Sequence, residues 1–522
     1  MADLHLDHHS IDGTGLPVGF HRVGASGHQE FRSCHRPDRG RAWLRHGPAG
    51  DLHVRDGFLT REYRSGGKLG DDHDDGDGHD DHEGERIFST TDSETFNIKG
   101  SYNVNGNLIS KIDYSFRDSD YSLTEAHAEE EGHTGDDDHA PTVFSNNATE
   151  YGAVIDISND VRTQKLSFNF VDEDSSIVGE EAFMNPANNE VLTLGYFVGQ
   201  DFDLFHVDFG LRLDQVTRTG SVTDEAHGDV DNFTIDDDVS SFAFSIGRNI
   251  SDTLKVNLGY SSVERLPSVI ELFMNGPHMA TGRFEVGDPT LNSETSNNFD
   301  ISFNFDNGEY FAYASFYVND VDNYIALIDE EDHDDHDDHE QPPHNDDDDD
   351  DHLDDHDDGK HPPHDPHENL IHANYAQEDA EFDGYEFEFG RTFNVASGEM
   401  TLSFGRDVVN AKFADGHNVP RINPARNVYS LSYNQDDIVF KLQLKDVEKQ
   451  NDVGEGETAT AGYQMLDTRL TKTFDLSGKS KLKVSLFGRN LLDEVARNHA
   501  SFVKNEVPLP GRNYGIKFNL TY

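Results

Sequence analysis

Asn298-Phe-Asp-Ile-Ser-Phe-Asn-Phe-Asp306 alternates without a break: Phe299, Ile301, Phe303 and Phe305 fall on one side of an extended chain, and Asp300, Ser302 and Asn304 on the other. A strand turns successive side chains to opposite faces, so this stretch has one apolar and one polar surface. The pattern recurs. Ile438, Phe440, Leu442 and Leu444 alternate within 437–445, and the chain ends on Tyr514, Ile516, Phe518, Leu520 and Tyr522 against Gly515, Lys517, Asn519 and Thr521. Roughly seventeen such segments follow residue 90, among them 94–103, 150–160, 203–213, 240–249, 253–262, 310–318, 381–390 and 465–474.

Many of these segments are joined in pairs by tight turns such as Val104-Asn-Gly-Asn107, Asn159-Asp160 and Asp306-Asn-Gly308. The connections between pairs are long and polar. Short turns at one end and long loops at the other describe an all-β, transmembrane antiparallel β-barrel of the outer membrane of a Gram-negative bacterium. A soluble sandwich would alternate too, but compact domains rarely carry structureless connections beyond about 15 residues. Tyrosines near strand ends (Tyr102, Tyr114, Tyr260, Tyr310, Tyr375, Tyr463, Tyr522) suit rings at headgroup level.

Composition narrows the function. The 522 residues hold 102 Asp and Glu against 41 Lys and Arg, a formal charge of -61, so a polyphosphate partner is repelled and nucleic-acid binding is not expected. The single cysteine, Cys34, cannot form an intramolecular disulfide. Mean hydropathy is -0.73, and no apolar run reaches the roughly 20 residues of a membrane-spanning helix. That average says nothing against strands, which need only alternate apolar positions. There is no phosphate-binding glycine loop, no His-Glu-x-x-His and no nucleophile elbow, so an enzyme is not expected. Residues 1–65 form an atypical segment, nearly neutral, rich in His, Gly and Arg, and without periodicity; they differ from the barrel expected over 66–522. The start, Met1-Ala-Asp-Leu-His-Leu-Asp-His-His9, has neither the basic nor the apolar region of an export signal.

Three connections, 71–83, 127–139 and 331–367, interleave histidine with acid. The first holds His73, His79 and His82; the second His127, His133 and His139; the third His333, His336, His339, His344, His352, His356, His361, His364 and His367 among eighteen carboxylates. Imidazole nitrogen with carboxylate oxygen suits borderline divalent ions, zinc first, whereas calcium would want an all-oxygen loop of fixed geometry. Several ligand sets can form within one tract, so loose, exchangeable capture is expected, failing near about pH 6 as histidine protonates. The alternative is an acidic solubilising loop with incidental histidines.

One segment is more specific. Leu258-Gly-Tyr-Ser-Ser-Val-Glu-Arg-Leu-Pro-Ser-Val-Ile-Glu-Leu-Phe273, followed by Gly287-Asp-Pro-Thr-Leu-Asn-Ser-Glu294, resembles the barrel of TonB-dependent outer-membrane receptors. Gly276-Pro-His-Met-Ala-Thr281 resembles the zinc-uptake branch, that of the meningococcal zinc receptor, as does the His and acid-rich loop. Asn418-Val-Pro-Arg-Ile-Asn-Pro-Ala-Arg426, Gly488-Arg-Asn-Leu-Leu-Asp493 and the terminal Tyr522 are similar to later family motifs. The resemblance implies a barrel with 22 strands in the full family fold, of which about 17 to 20 are readable here. It implies a monomer that takes a divalent metal ion, zinc first, at its extracellular mouth for uptake into the periplasm, with an iron-siderophore or haem as the alternative ligand. It adds His278 as a mouth-facing ligand, gives Arg265, Pro267, Glu271, Leu272 and Arg421 architectural roles, and requires no cofactor. Its implied partners are the lipid bilayer, the barrel-assembly machinery and, given a plug and TonB box, the TonB energy-transducing complex. The family's plug domain is not recognisable, so residues 1–65 read as its missing or scrambled remnant.

Overall fold

Alternation becomes a wall of paired strands in the computed structural model, which describes residues 87–127, 141–179, 182–223, 228–278, 281–330 and 370–522, apart from positions 105, 107 and 479, together with Leu4 and His5. The strands are β1 (Leu4–His5), β2 (Ile87–Asn103), β3 (Lys111–His127), β4 (Thr142–Asp156), β5 (Arg162–Val178), β6 (Ala187–Asp201), β7 (His206–Thr223), β8 (Val230–Asn249) and β9 (Leu254–Arg265). A short helix α1 (Val269–Phe273) and the hairpin β10 (Asn275–His278) and β11 (Arg283–Val286) interrupt the wall. It resumes with β12 (Glu294–Asp306), β13 (Tyr310–Asp329), β14 (Ile371–Val395), β15 (Gly398–Phe413), β16 (Arg426–Gln435), β17 (Ile438–Val447), β18 (Tyr463–Asp475), β19 (Lys481–Arg489) and β20 (Asn513–Thr521).

All belong to one 20-stranded sheet. Each long strand pairs antiparallel with the next, and β9 pairs directly with β12 across the interruption. The turns at one end are tight, from 396–397 to 104–110, while the connections at the other include 266–293, 330–370, 448–462 and 490–512. Gly308 accepts a φ of 90° in one such turn, where Asp306 Oδ1 takes its N–H at 2.7 Å. Both outer strands, β2 and β20, run from the loop end to the turn end, and among the described residues no ladder joins them. An antiparallel wall closes only with an even number of strands. β1, antiparallel on the free edge of β2 at Lys99 and Gly100, has the direction that seam requires.

The apolar faces point outward. Phe299 is 52% exposed, Phe316 50%, Leu402 42%, Leu486 50% and Phe518 63%. A sandwich would bury these side chains as its core, so their exposure along strand after strand identifies a lipid-facing surface. Aromatic rings run around it from strand to strand: Phe96 lies 6.2 Å from Phe116, Phe116 5.1 Å from Tyr151, and Tyr151 6.4 Å from Phe170. Phe387, Phe404 and Tyr429 continue such a line across β14, β15 and β16.

The strands outrun the alternating segments on the loop side. Alternation predicts 240–249, 310–318 and 381–390, yet β8 begins at Val230, β13 ends at Asp329 and β14 begins at Ile371. Beyond the bilayer a strand needs backbone pairing but no apolar face, so its periodicity fades while its ladder continues. Tyr375 departs from the headgroup position expected of it: it packs into a buried cluster at the loop end.

Candidate functional site

The two clusters of buried apolar residues lie at the loop end. One cluster joins Ile177, Phe183, Met184, Leu272, Phe273 and Met274; another joins Val321, Ala380, Phe382, Ala411 and Val419. Loop 266–293 organises the first. At its start Arg265 reaches Glu271 at 2.8 Å and Glu294 at 2.9 Å, and Ser268 and Glu271 cap the helix reciprocally. The fully buried Arg218 donates to the Pro267 carbonyl and to Asp237. The Arg-x-Pro-Ser…Glu-Leu motif is thus a corner, tied by charge to three strands and seated by Leu272 and Phe273 in the apolar cluster.

From that corner the loop crosses the mouth. On one side Met274 bridges Met184 and the Asn275 N–H donates to the Phe183 carbonyl, both in the β5–β6 connection. On the other, β11 adds itself in parallel to the loop end of β14, with Arg283 opposite Ile371 and Val286 opposite Asn374. A strap therefore joins the β5–β6 connection to β14, with six strands of the wall between them.

His278 sits on this strap, directly opposite Arg283 in the β10–β11 hairpin. Its Nδ1 lies 2.9 Å from Glu285 Oε1, which also accepts from the Thr281 hydroxyl at 2.8 Å, and its ring stacks on Phe183 at 4.4 Å. The ring is fixed on one edge by a carboxylate and on one face by an aromatic. Nε2 has no partner among the described residues. A carboxylate on one imidazole nitrogen orients the other toward a metal. His372, two strands over, stacks on Phe284 at 5.2 Å on the opposite face of the hairpin and does not join His278.

Three other loops lock onto the strap. Arg283 donates to both oxygens of Asp329 at 2.8 and 2.6 Å. Phe502, from loop 490–512, meets both guanidinium groups, with Arg283 4.5 Å and Arg421 4.2 Å from its ring centroid. Glu457 accepts from Lys504 Nζ at 2.9 Å and from the Arg421 N–H, and lies 3.1 Å from His499 Nε2. Burial pushes the Glu457 carboxyl up, but the approach of His499, Lys504 and the Gly454 amide outweighs it and holds the group at about 2. His499 is buried with Nδ1 2.9 Å from the Thr460 hydroxyl, whereas His417 is exposed beside Asp415.

Of the other histidines expected to ligate, His127 ends β3 opposite Ile87. His73, His79, His82, His133, His139, His333, His336, His339, His344, His352, His356, His361, His364 and His367 lie outside the described residues. The strand ends that flank 128–141 and 330–370 stand at the same end of the wall as the strap. Among the described residues no group of three or more His, Cys, Asp or Glu is arranged to hold a metal ion. Glu285, Thr281, Arg283 and Phe502 were not legible as site residues: Glu285 meets His278 only because a hairpin folds between them, and Phe502 arrives from more than 200 positions away.

Comparison with known proteins agrees with this architecture. The family model of a TonB dependent receptor-like β-barrel matches residues 37–491. Among solved structures, the copper transporter OprC superposes with a TM-score of 0.61 at 14% identity, over 83% of this chain and 66% of its own. The FrpB iron transporter from Neisseria meningitidis gives 0.56 at 13% identity, over 84% and 64%. The Serratia marcescens hemophore receptor HasR, solved with its hemophore and heme, gives 0.53 at 13% identity, over 83% and 67%. The chain thus spans about two thirds of the length of the structures it matches. Its outward apolar wall, loop-built mouth and matched family model lead to one conclusion: the chain belongs to the TonB-dependent receptor β-barrel family, whose members are transport receptors of the outer membrane and not enzymes.

Proposed function

We propose that the protein captures a metal-bearing ligand at the extracellular mouth of its barrel for passage into the periplasm, with the TonB complex as its energy source and the barrel-assembly machinery as its route into the membrane. The observation that carries this reading is His278, oriented by Glu285 and Phe183 with Nε2 free. Two finer readings differ in how the metal arrives. A free zinc ion needs three or four protein ligands, so His278 and Glu285 would have to be completed from the histidine tracts. Haem arrives already coordinated and asks the protein for one axial imidazole, and an iron chelate takes one only where it leaves a coordination position open. A single held histidine favours the second, and two of the solved structures with this fold are described as an iron transporter and a hemophore receptor. The first keeps the tracts as its support: they form an exchangeable zinc-collecting surface beside the mouth.

Equilibrium titration of the detergent-purified chain with zinc chloride, haem and a ferric chelate separates the readings. His278→Ala is expected to weaken the ligand that uses the mouth by at least about tenfold, while Glu285→Gln costs less because it removes only the orienting partner. Absence of binding by any of the three, or equal binding by wild type and His278→Ala, would defeat the proposal.

A further inference from the structure

We infer that the turn-end rim of the barrel is seated unevenly in the membrane: the turns of β2–β9 lie in the headgroup layer of the periplasmic leaflet, and those of β12–β17 stand in water. The inference concerns the end of the wall opposite the mouth and holds whatever the ligand is. Four successive turns, 104–110, 157–161, 202–205 and 250–253, carry the exposed Leu108, Val161, Phe202, Leu204, Phe205 and Ile250. The next three, 307–309, 396–397 and 436–437, carry no large apolar residue. Two of them carry ion pairs instead, Glu309 with Arg391 at 2.5 Å and Asp437 with Lys472. Turn 476–480 is mixed, with Leu476 exposed beside the Asp475–Lys481 pair.

Single exposed apolar residues are ordinary on a protein surface. At least one in each of four neighbouring turns makes a continuous apolar arc, and such an arc marks a surface that is covered. Its neighbours identify the cover. Tyr102 and Leu166 are exposed on β2 and β5 in the same alternation as Phe96 and Phe168, and they bring the lipid-facing wall down to these turns. The arc continues that wall one step beyond the strand ends, where a bilayer has its glycerol and headgroup layer. Phenylalanine and leucine are stable at that depth.

The turns are built to leave bulk water. The Phe202 N–H donates to the Phe205 carbonyl at 2.8 Å, and the Ile250 N–H to the Leu254 carbonyl at 2.8 Å. Asn159 Oδ1 accepts from the Val161 and Arg162 N–H groups at 3.0 and 2.9 Å. These backbone donors therefore need no water. Phe202 and Phe205 stack at 4.8 Å on the tip of the β6–β7 turn. The acids flanking that tip share one partner, His206, with Nδ1 2.7 Å from Asp201 and Nε2 2.7 Å from Asp208. Asp160, Asp203 and Asp252, exposed among the apolar residues, reach the aqueous side of the layer, where phosphatidylethanolamine offers ammonium groups.

Depth-dependent fluorescence tests the seating. Trp43 is the only tryptophan, so in a Trp43→Phe background an introduced tryptophan is the sole emitter. Leu108→Trp, Val161→Trp and Leu204→Trp on the arc, and Ser397→Trp on the opposite rim, all replace exposed residues. The full chain is refolded into phosphatidylethanolamine and phosphatidylglycerol vesicles, with and without lipid brominated on the acyl carbons nearest the glycerol, and heat-modifiable mobility confirms each barrel. Interfacial seating carries a side chain about 5–10 Å into the headgroup and acyl boundary, so the three arc tryptophans are expected to lose at least about half their emission to the brominated lipid. Ser397→Trp is expected to be quenched by aqueous iodide and not by the bromines. Lipid quenching of all four would mean a level rim and overturn the inference, as would iodide quenching of all four. Arc tryptophans shielded from both quenchers would put the arc against a second copy of the chain and overturn it too. None of these outcomes bears on binding at the mouth.

Discussion

Leu402→Arg is expected to cost about 2–4 kcal/mol and to stop the chain from folding into a bilayer, because it places a guanidinium near the middle of the lipid-facing band. Leu402 stands opposite Leu431, which in turn stands opposite Leu442, and this row lies between the outward aromatics Tyr429 and Tyr433 on β16. All three leucines line an apolar groove on the outer wall. In a soluble sandwich the same change would strike a core, so the control matters. Gln443, one position along β17 and on the other face, should accept arginine with little loss, since it points to the lumen opposite Asp467. Urea unfolding from lipid vesicles reads both: a large loss for Leu402→Arg beside a small one for Gln443→Arg marks the bilayer, and equal losses would argue for a water-exposed wall with a buried interior.

Phe273→Ala should cost about 3–5 kcal/mol, the ordinary loss for a large aromatic removed from a core, and the loss should fall on the mouth. Phe273 is wholly buried, and a side chain at Gly220 would meet its ring at 2.4 Å, so the site is packed to contact on the β7 side. Leu272, Met274 and Phe183 share the cluster, and Phe183 carries the stacked ring of His278. Collapse here should free His278 and loosen the strap while the strand ladders persist. Amide hydrogen exchange is the measurement: exchange within 266–293 should rise by orders of magnitude, with β15–β18 unchanged. Uniform acceleration across the wall would mean that mouth and barrel unfold as one unit.

The barrel was legible because lipid imposes a period. Every strand that crosses hydrocarbon must show it an apolar face, and 298–306, 437–445 and 514–522 report this in their own sequence. Where water replaces lipid the constraint lapses, which is why the loop-side parts of β8, β13 and β14 carry no strand period in their sequence. The mouth was legible only in fragments. Arg265, Pro267 and Glu271 carry a motif, and the structure gives it a mechanism in ion pairs and a capping box. His278 was read as a mouth-facing residue, but the carboxylate and ring that fix it depend on hairpin geometry and on Phe183, some ninety positions earlier. The Arg283–Phe502–Arg421 stack has no local signature at all, since each member comes from a different connection. The histidine tracts are the reverse case: conspicuous in composition, but with many interchangeable ligand sets and so no single geometry specified.

The central claim is that the wall crosses the outer membrane with the strap and long connections facing out, so that the mouth meets ligand before the periplasm does. Single-cysteine labelling of intact cells with a membrane-impermeant maleimide, in a Cys34→Ser background, tests it most directly. Asp415 is exposed in connection 414–425 at the loop end, and Asp252 is exposed in turn 250–253 at the other. Asp415→Cys should label on intact cells, and Asp252→Cys only after the outer membrane is opened. Labelling of Asp252→Cys on intact cells with Asp415→Cys protected would invert the barrel, and protection of both until lysis would place the chain elsewhere and contradict the account.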